Sequence, residues 1–114
     1  MSAITTYVLD TTTGGPGAGI PTLLERKTHT AGWQAIAQGI TETDGRITDL
    51  LSRTEAFLPG HYRLIFETGP YFSMRNIECF FSQVTISFVV KDAQDHYQVD
   101  LLLSPFGYTA YRGR

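Results

Sequence analysis

The sequence predicts a two-sheet all-β sandwich, and three features predict it. β-branched and aromatic residues dominate the apolar positions, and the apolar segments are short and closed by turn residues. Within those segments polar and apolar residues alternate with the period of two that sends successive side chains to opposite faces of a strand. At 114 residues the chain is expected to form one domain, 1–114, long enough for a single core and too short for two.

Each element follows from its own pattern. Residues 3–11, "AITTYVLDT", put Ile4, Thr6, Val8 and Asp10 on one side and Thr5, Tyr7 and Leu9 on the other, a strand with one core face. "TGGPGAGIP" (13–21) is a loop. Its glycines suggest a phosphate cradle, but Pro16 removes a donor N–H and the following "TLLERKT" reads as a strand, not as the helix such a cradle needs. The loop therefore reads as a hairpin connection. "AGWQAIAQGIT" (31–41) fits a further strand, and "TDGR" (43–46) is a turn centred on Asp-Gly. In "HYRLIFET" (61–68) Tyr62, Leu64 and Phe66 oppose His61, Arg63 and Ile65. Residues 71–78 are the expected short helix, which at about two turns depends on packing for its stability. "SQVTISFVV" (82–90) turns Val84, Ile86, Phe88 and Val90 to one face. "HYQVDLLLSP" (96–105) turns Tyr97, Val99, Leu101 and Leu103 inward and His96, Gln98, Asp100 and Leu102 outward, and Pro105 ends it for want of an N–H.

Composition excludes several functions. No apolar run reaches the roughly 20 residues of a membrane helix, so no membrane contact is expected. The start lacks a basic region followed by an apolar stretch and the end is not Ser-Lys-Leu, which makes the cytoplasm the expected location. A net charge of -2 with acids and bases interspersed argues against nucleic acid. The lone Cys79, among large apolar neighbours, reads as a buried inert thiol. His29, His61 and His96 are scattered without metal-ligand spacing and read as surface or strand-end residues, so neither a metal nor a cofactor is expected.

Chemistry concentrates on one side of two strands. Tyr7, Gln98 and Asp100 lie on the polar faces of strands whose other faces are apolar, and such faces ordinarily meet water. Leu9 and Leu102 share those faces, however, which calls for a cover, and a partner subunit is the simplest one.

The stretches "YVLDT", "GGPGAGIP", "TDGR", "LPGHYRLIFETGPYF" and "HYQVDLLLSPFGYTAYRGR" together resemble the 5-hydroxyisourate hydrolases of purine catabolism, enzymatic relatives of the hormone carrier transthyretin, over nearly the whole chain. The resemblance implies a transthyretin-like sandwich with one short helix, assembled as a homotetramer, a dimer of dimers, around a channel that holds the active sites. It also implies that the tail walls the site.

The same resemblance exposes departures. The hydrolase pattern has histidine in "HVLD" and a second in "HYHVPLLLSP", and it ends Tyr-Arg-Gly-Ser; this chain has Tyr7, Gln98, Asp100 for the proline, and Arg114 for the serine. Arg46 stands where the family has its catalytic arginine, with Tyr111, Arg112 and Gly113 also in place. Histidine, with a pKa of about 6.5, suits proton transfer at neutral pH, whereas glutamine does not titrate and tyrosine, at about 10, is a poor base. The expected chemistry is therefore altered: Tyr7 and Asp100 as acid and base, Arg46 and Arg112 on carbonyl or carboxylate oxygens, and Gln98, Tyr111 and Arg114 lining the substrate. Three readings stay open: a divergent enzyme acting on a small cyclic or carbonyl-rich metabolite by ring opening, tautomerisation or cyclisation; a transthyretin-like carrier; and a weak residual 5-hydroxyisourate hydrolase.

Overall fold

The computed structural model describes residues 3–30, 32–51 and 57–113. Two sheets face each other across one core. The first is built from β1 (Ile4–Asp10), β2 (Gly15–Pro16), β5 (Arg46–Ile47), β8 (Tyr97–Ser104) and β9 (Gly107–Arg112), in the order β2-β1-β8-β9 with β5 also pairing with β1. The second takes β3 (Pro21–Lys27), β4 (Trp33–Ile40), β6 (Gly60–Phe66) and β7 (Val84–Val90) in the order β4-β3-β6-β7. β1 and β8 run parallel, and the other neighbours run antiparallel.

The alternation read from the sequence is the alternation that packs. Ile4, Val8, Leu101 and Leu103 of the first sheet meet Leu24, Tyr62, Leu64 and Phe66 of the second, all buried. Fully burying a side chain of this size stabilises by roughly 1.5–3 kcal/mol, so this two-sided layer holds the sheets face to face. Thr6 and Asp10 lie on the same inward face and are also buried.

The 13–21 segment, the helix and Cys79 differ from their sequence reading. The 13–21 segment is not a simple hairpin, since β1 and β3 lie in different sheets; it folds back as β2 against Leu9 and Asp10 and then crosses over. The helix α1 spans Thr68–Ser73 and not 71–78. Pro70 sits in its first turn, where a missing N–H has no intrahelical partner to lose, and Asn76 at φ 56° closes the segment beyond it. The tail is a strand, β9, hydrogen-bonded along β8. Cys79 is half-buried against the core rather than fully enclosed. His29, His61 and His96 are exposed, and no described helix is long and apolar enough to cross a membrane.

Candidate active site

Registers assemble the site. Residues paired across neighbouring strands project from the same face. Tyr7 of β1 pairs with Arg46 of β5 on one side and with Asp100 of β8 on the other, and Asp100 pairs in turn with Tyr111 of β9. Arg46, Tyr7, Asp100 and Tyr111 thus form a row across the sheet on the face turned away from the core. Gln98 lies on that face one pleat along β8, beside Thr5.

The turn before β5 aims Arg46. Gly45 donates its N–H to the Glu42 carbonyl at 2.8 Å, the Asp44 carboxylate accepts from the Arg46 N–H at 3.0 Å, and Val8 donates to the Gly45 carbonyl at 2.8 Å. Gly45 has φ +81°, and a Cβ there would lie 2.5 Å from the Val8 carbonyl oxygen. Only glycine lets the turn press this closely on β1. The Arg46 guanidinium then lies 4.6 Å from the centre of the Tyr7 ring, a cation–π arrangement that holds both side chains over the sheet.

Asp100 is the buried member of the row, at 7% exposure. Gln98 Nε2 donates to its Oδ1 at 2.8 Å, and among the described residues it forms no ion pair. The chain passes over it at Gly113, whose N–H donates to the Gln98 carbonyl at 2.8 Å. A Cβ on Gly113 would overlap the Asp100 carboxylate and lie 2.9 Å from Gln98 Nε2. Tyr111 is half exposed, and its phenol is pushed above the usual tyrosine range by the Asp100 charge first, then by partial burial, a hydrogen bond to Asp100 and the proximity of Tyr7. It therefore stays protonated and can donate. Among the described residues no three His, Cys, Asp or Glu side chains come together to hold a metal.

The structure brings together Tyr7, Arg46, Gln98, Asp100 and Tyr111, and it separates Arg112 from them. Arg112 pairs with Val99, a core-face residue, and so leaves the sheet on the opposite side. Its guanidinium lies 4.4 Å from the Tyr97 ring centre, donates to the His96 carbonyl at 3.1 Å and reaches Asp95 at 3.9 Å. Arg114 lies outside the described residues. A signal for this parity is present in "SPFG": proline at the second and glycine at the fourth position mark a tight β-turn, which pairs Ser104 with Gly107 and so sets Tyr111, not Arg112, opposite Asp100. Residue reading named Gly113 but gave it no role, whereas its lack of a side chain makes room for Asp100, and it passed over the Thr5 hydroxyl, which lies 3.1 Å from His96 Nε2 farther along the face.

The fold and the sequence have clear relatives. The chain is 40% identical over 110 residues to 5-hydroxyisourate hydrolase of Salmonella typhimurium, which covers 96% of this chain and 79% of that one. Its structure superposes on sea bream transthyretin in complex with thyroxine with a TM-score of 0.91 at 30% identity, covering 98% of this chain and 95% of the other. The structure of 5-hydroxyisourate hydrolase from Klebsiella pneumoniae matches with a TM-score of 0.83 at 31% identity, over 97% and 92% of the two chains. The sandwich is thus the all-β transthyretin-like fold with one short helix. With the model of the HIUase/Transthyretin family matching residues 4–113, this chain belongs to that family, whose hydrolase members are among its relatives.

Proposed function

We propose that this chain is a divergent hydroxyisourate hydrolase-family enzyme that acts on a small cyclic or carbonyl-rich metabolite by acid–base chemistry at the Tyr7–Asp100 face. One observation carries the reading: a nearly buried carboxylate, held by Gln98 and lacking a cationic partner among the described residues, faces two phenols in a row that ends on a guanidinium. Structural carboxylates are more usually paired or solvated, and convergent groups of this kind mark sites of proton transfer. The relatives named 5-hydroxyisourate hydrolase and an Arabidopsis thaliana relative named as a uric acid degradation protein favour a purine-like ring as the substrate class.

Each group has a role. Asp100 takes a proton from an N–H, C–H or water O–H of the bound molecule, and Tyr7 gives one to the carbonyl oxygen. Arg46 stabilises the negative charge that develops there. Gln98 orients the base and carries no proton of its own. A homotetramer, in which a second copy covers the face, completes the site and excludes water. The chain functions as a single transthyretin-like domain in the cytoplasm.

Fresh 5-hydroxyisourate followed by ultraviolet absorbance tests the altered chemistry. Decay is expected about 10²–10⁴-fold slower than with the Klebsiella pneumoniae enzyme, the usual worth of a positioned acid or base. An equal rate would make the chain an ordinary hydrolase. The carrier reading has the fold match to a thyroxine-bound transthyretin in its favour. Asp100→Asn separates the two: in an enzyme it abolishes turnover of the true substrate and leaves affinity within a few-fold, and in a carrier it alters affinity alone.

A further inference from the structure

The face that carries the row is electrically asymmetric. Its guanidinium, Arg46, and its carboxylate, Asp100, stand on either side of Tyr7, two strand spacings apart, and neighbouring strands lie about 4.8 Å from each other. The other arginine of this segment, Arg112, is engaged on the opposite side of the sheet. Among the described residues the face therefore has an anionic centre and a cationic end, and none of them adds a second guanidinium with which to clamp an anion.

Asp100 is also surrounded as a cation-binding carboxylate would be. Tyr7 and Tyr111 flank it in register, and aromatic rings attract cations through their negative faces. Its carboxylate accepts hydrogen bonds from Gln98 and from the Tyr111 phenol, whereas an ionised carboxyl has room for about four. The Gln98 amide donates its NH₂ to Asp100 and keeps a carbonyl oxygen that can serve as a second acceptor.

Building on the placement of the active site at Asp100, we infer that the face takes a planar ligand that is polar end to end: an amidine-like or amino-heterocyclic nitrogen group on Asp100 and Gln98 between the two tyrosines, and a carbonyl or carboxylate oxygen on Arg46. Such a ligand reverses what an anion-binding channel would choose. One ring with substituents at opposite ends spans the distance, given the reach of the two side chains.

Four probes of one ring size decide this: benzamidine, benzamide, benzoate and 4-amidinobenzoate, titrated into the full-length protein at neutral pH while the Tyr7 and Tyr111 ring signals are followed by NMR. Benzamidine is expected to bind at least tenfold more tightly than benzoate, and 4-amidinobenzoate at least tenfold more tightly again. Asp100→Asn should erase the first preference and Arg46→Gln the second. Benzoate binding as well as benzamidine in the wild-type protein overturns the inference, and because that comparison uses no variant it holds even if Asp100→Asn does not fold. Benzoate preferred at Tyr7 and Tyr111 would leave the site in place and remove only its charge preference. If no probe moves either tyrosine, the placement of the active site fails as well.

Discussion

The sequence places Asp100 and Arg112 in one site, as base and as substrate-binding cation, and in the fold they leave opposite sides of the sheet. Tyr7, Gln98 and Asp100 were legible because strand alternation alone decides which side a residue takes. The side of Arg112 depends on where β9 pairs, and that is fixed by the Ser104–Gly107 turn and not by any property of the arginine. Gly113 shows the same limit, since the reason for a glycine lies in what occupies the missing side chain's space. Here the occupant is the Asp100 carboxylate. Gly113→Ala is therefore expected to push Asp100 off its position, to lower turnover by about 10²-fold or more while the fold persists, and to let the Tyr111 phenol titrate closer to its ordinary value as the carboxylate charge moves away. Turnover and a tyrosine NMR titration on the same variant check this. Unchanged turnover together with an unchanged Tyr111 titration would show that Asp100 tolerates the added methyl.

At the scale of elements, strand positions and the presence of one short helix were legible, but the bounds of the helix were not, because proline argues against a helix only beyond its first turn. Nor does alternation reveal what α1 is anchored to. Asp10, counted only as a polar member of a strand face, is fully buried and accepts from the Tyr71 hydroxyl at 2.7 Å and from the Thr12 N–H at 2.9 Å. Arg75 closes the other side, its guanidinium 3.7 Å from the Tyr71 ring centre and bonded to the Tyr71 carbonyl at 2.9 Å. This junction ties the helix to the end of β1. Burial, then the hydrogen bond and charge of Asp10, push the Tyr71 phenol from 10.0 up to about 12, with Arg75 opposing. Below the unfolded value both states carry the proton and the contribution is complete. As pH rises from about 10 through about 12, the unfolded chain ionises first and the contribution is lost. Tyr71→Phe is expected to lower stability at neutral pH by roughly 1–3 kcal/mol, since it leaves the buried Asp10 short of a donor. The gap from wild type should narrow above pH 10, read from denaturant unfolding at several pH values. A gap that stayed constant across that range would place the loss in packing and not in the phenol's proton.

For the whole molecule, a sandwich follows from many short alternating strands, but the pairing of β1 with β8 joins segments from opposite ends of the chain and has no local signal. That pairing is what sets Tyr7 beside Asp100. It also leaves surfaces a lone chain would not keep. β7 and β9 are open edges with unpaired backbone groups, which invite another strand. Phe80, Phe106 and Tyr108 are exposed at 73%, 64% and 42%, and Leu9 and Leu102 sit only half-buried on the same face as the row of Arg46, Tyr7, Asp100 and Tyr111. Half-buried Leu9 and Leu102 beside a polar centre fit a covered face, and closed symmetry makes copies of the same chain the natural cover. The expected particle is a homotetramer of 12.7 kDa chains, seen by light scattering at micromolar concentration and unchanged on tenfold dilution. Leu102→Arg places a charge beside Leu9 at the proposed contact. It should lower the particle mass and turnover together while each chain keeps its β-sheet circular dichroism, because the face would then open to water. A wild-type protein that remains a stable monomer would remove the shared cover, and with it the exclusion of water on which the proposed acid–base role of Asp100 depends.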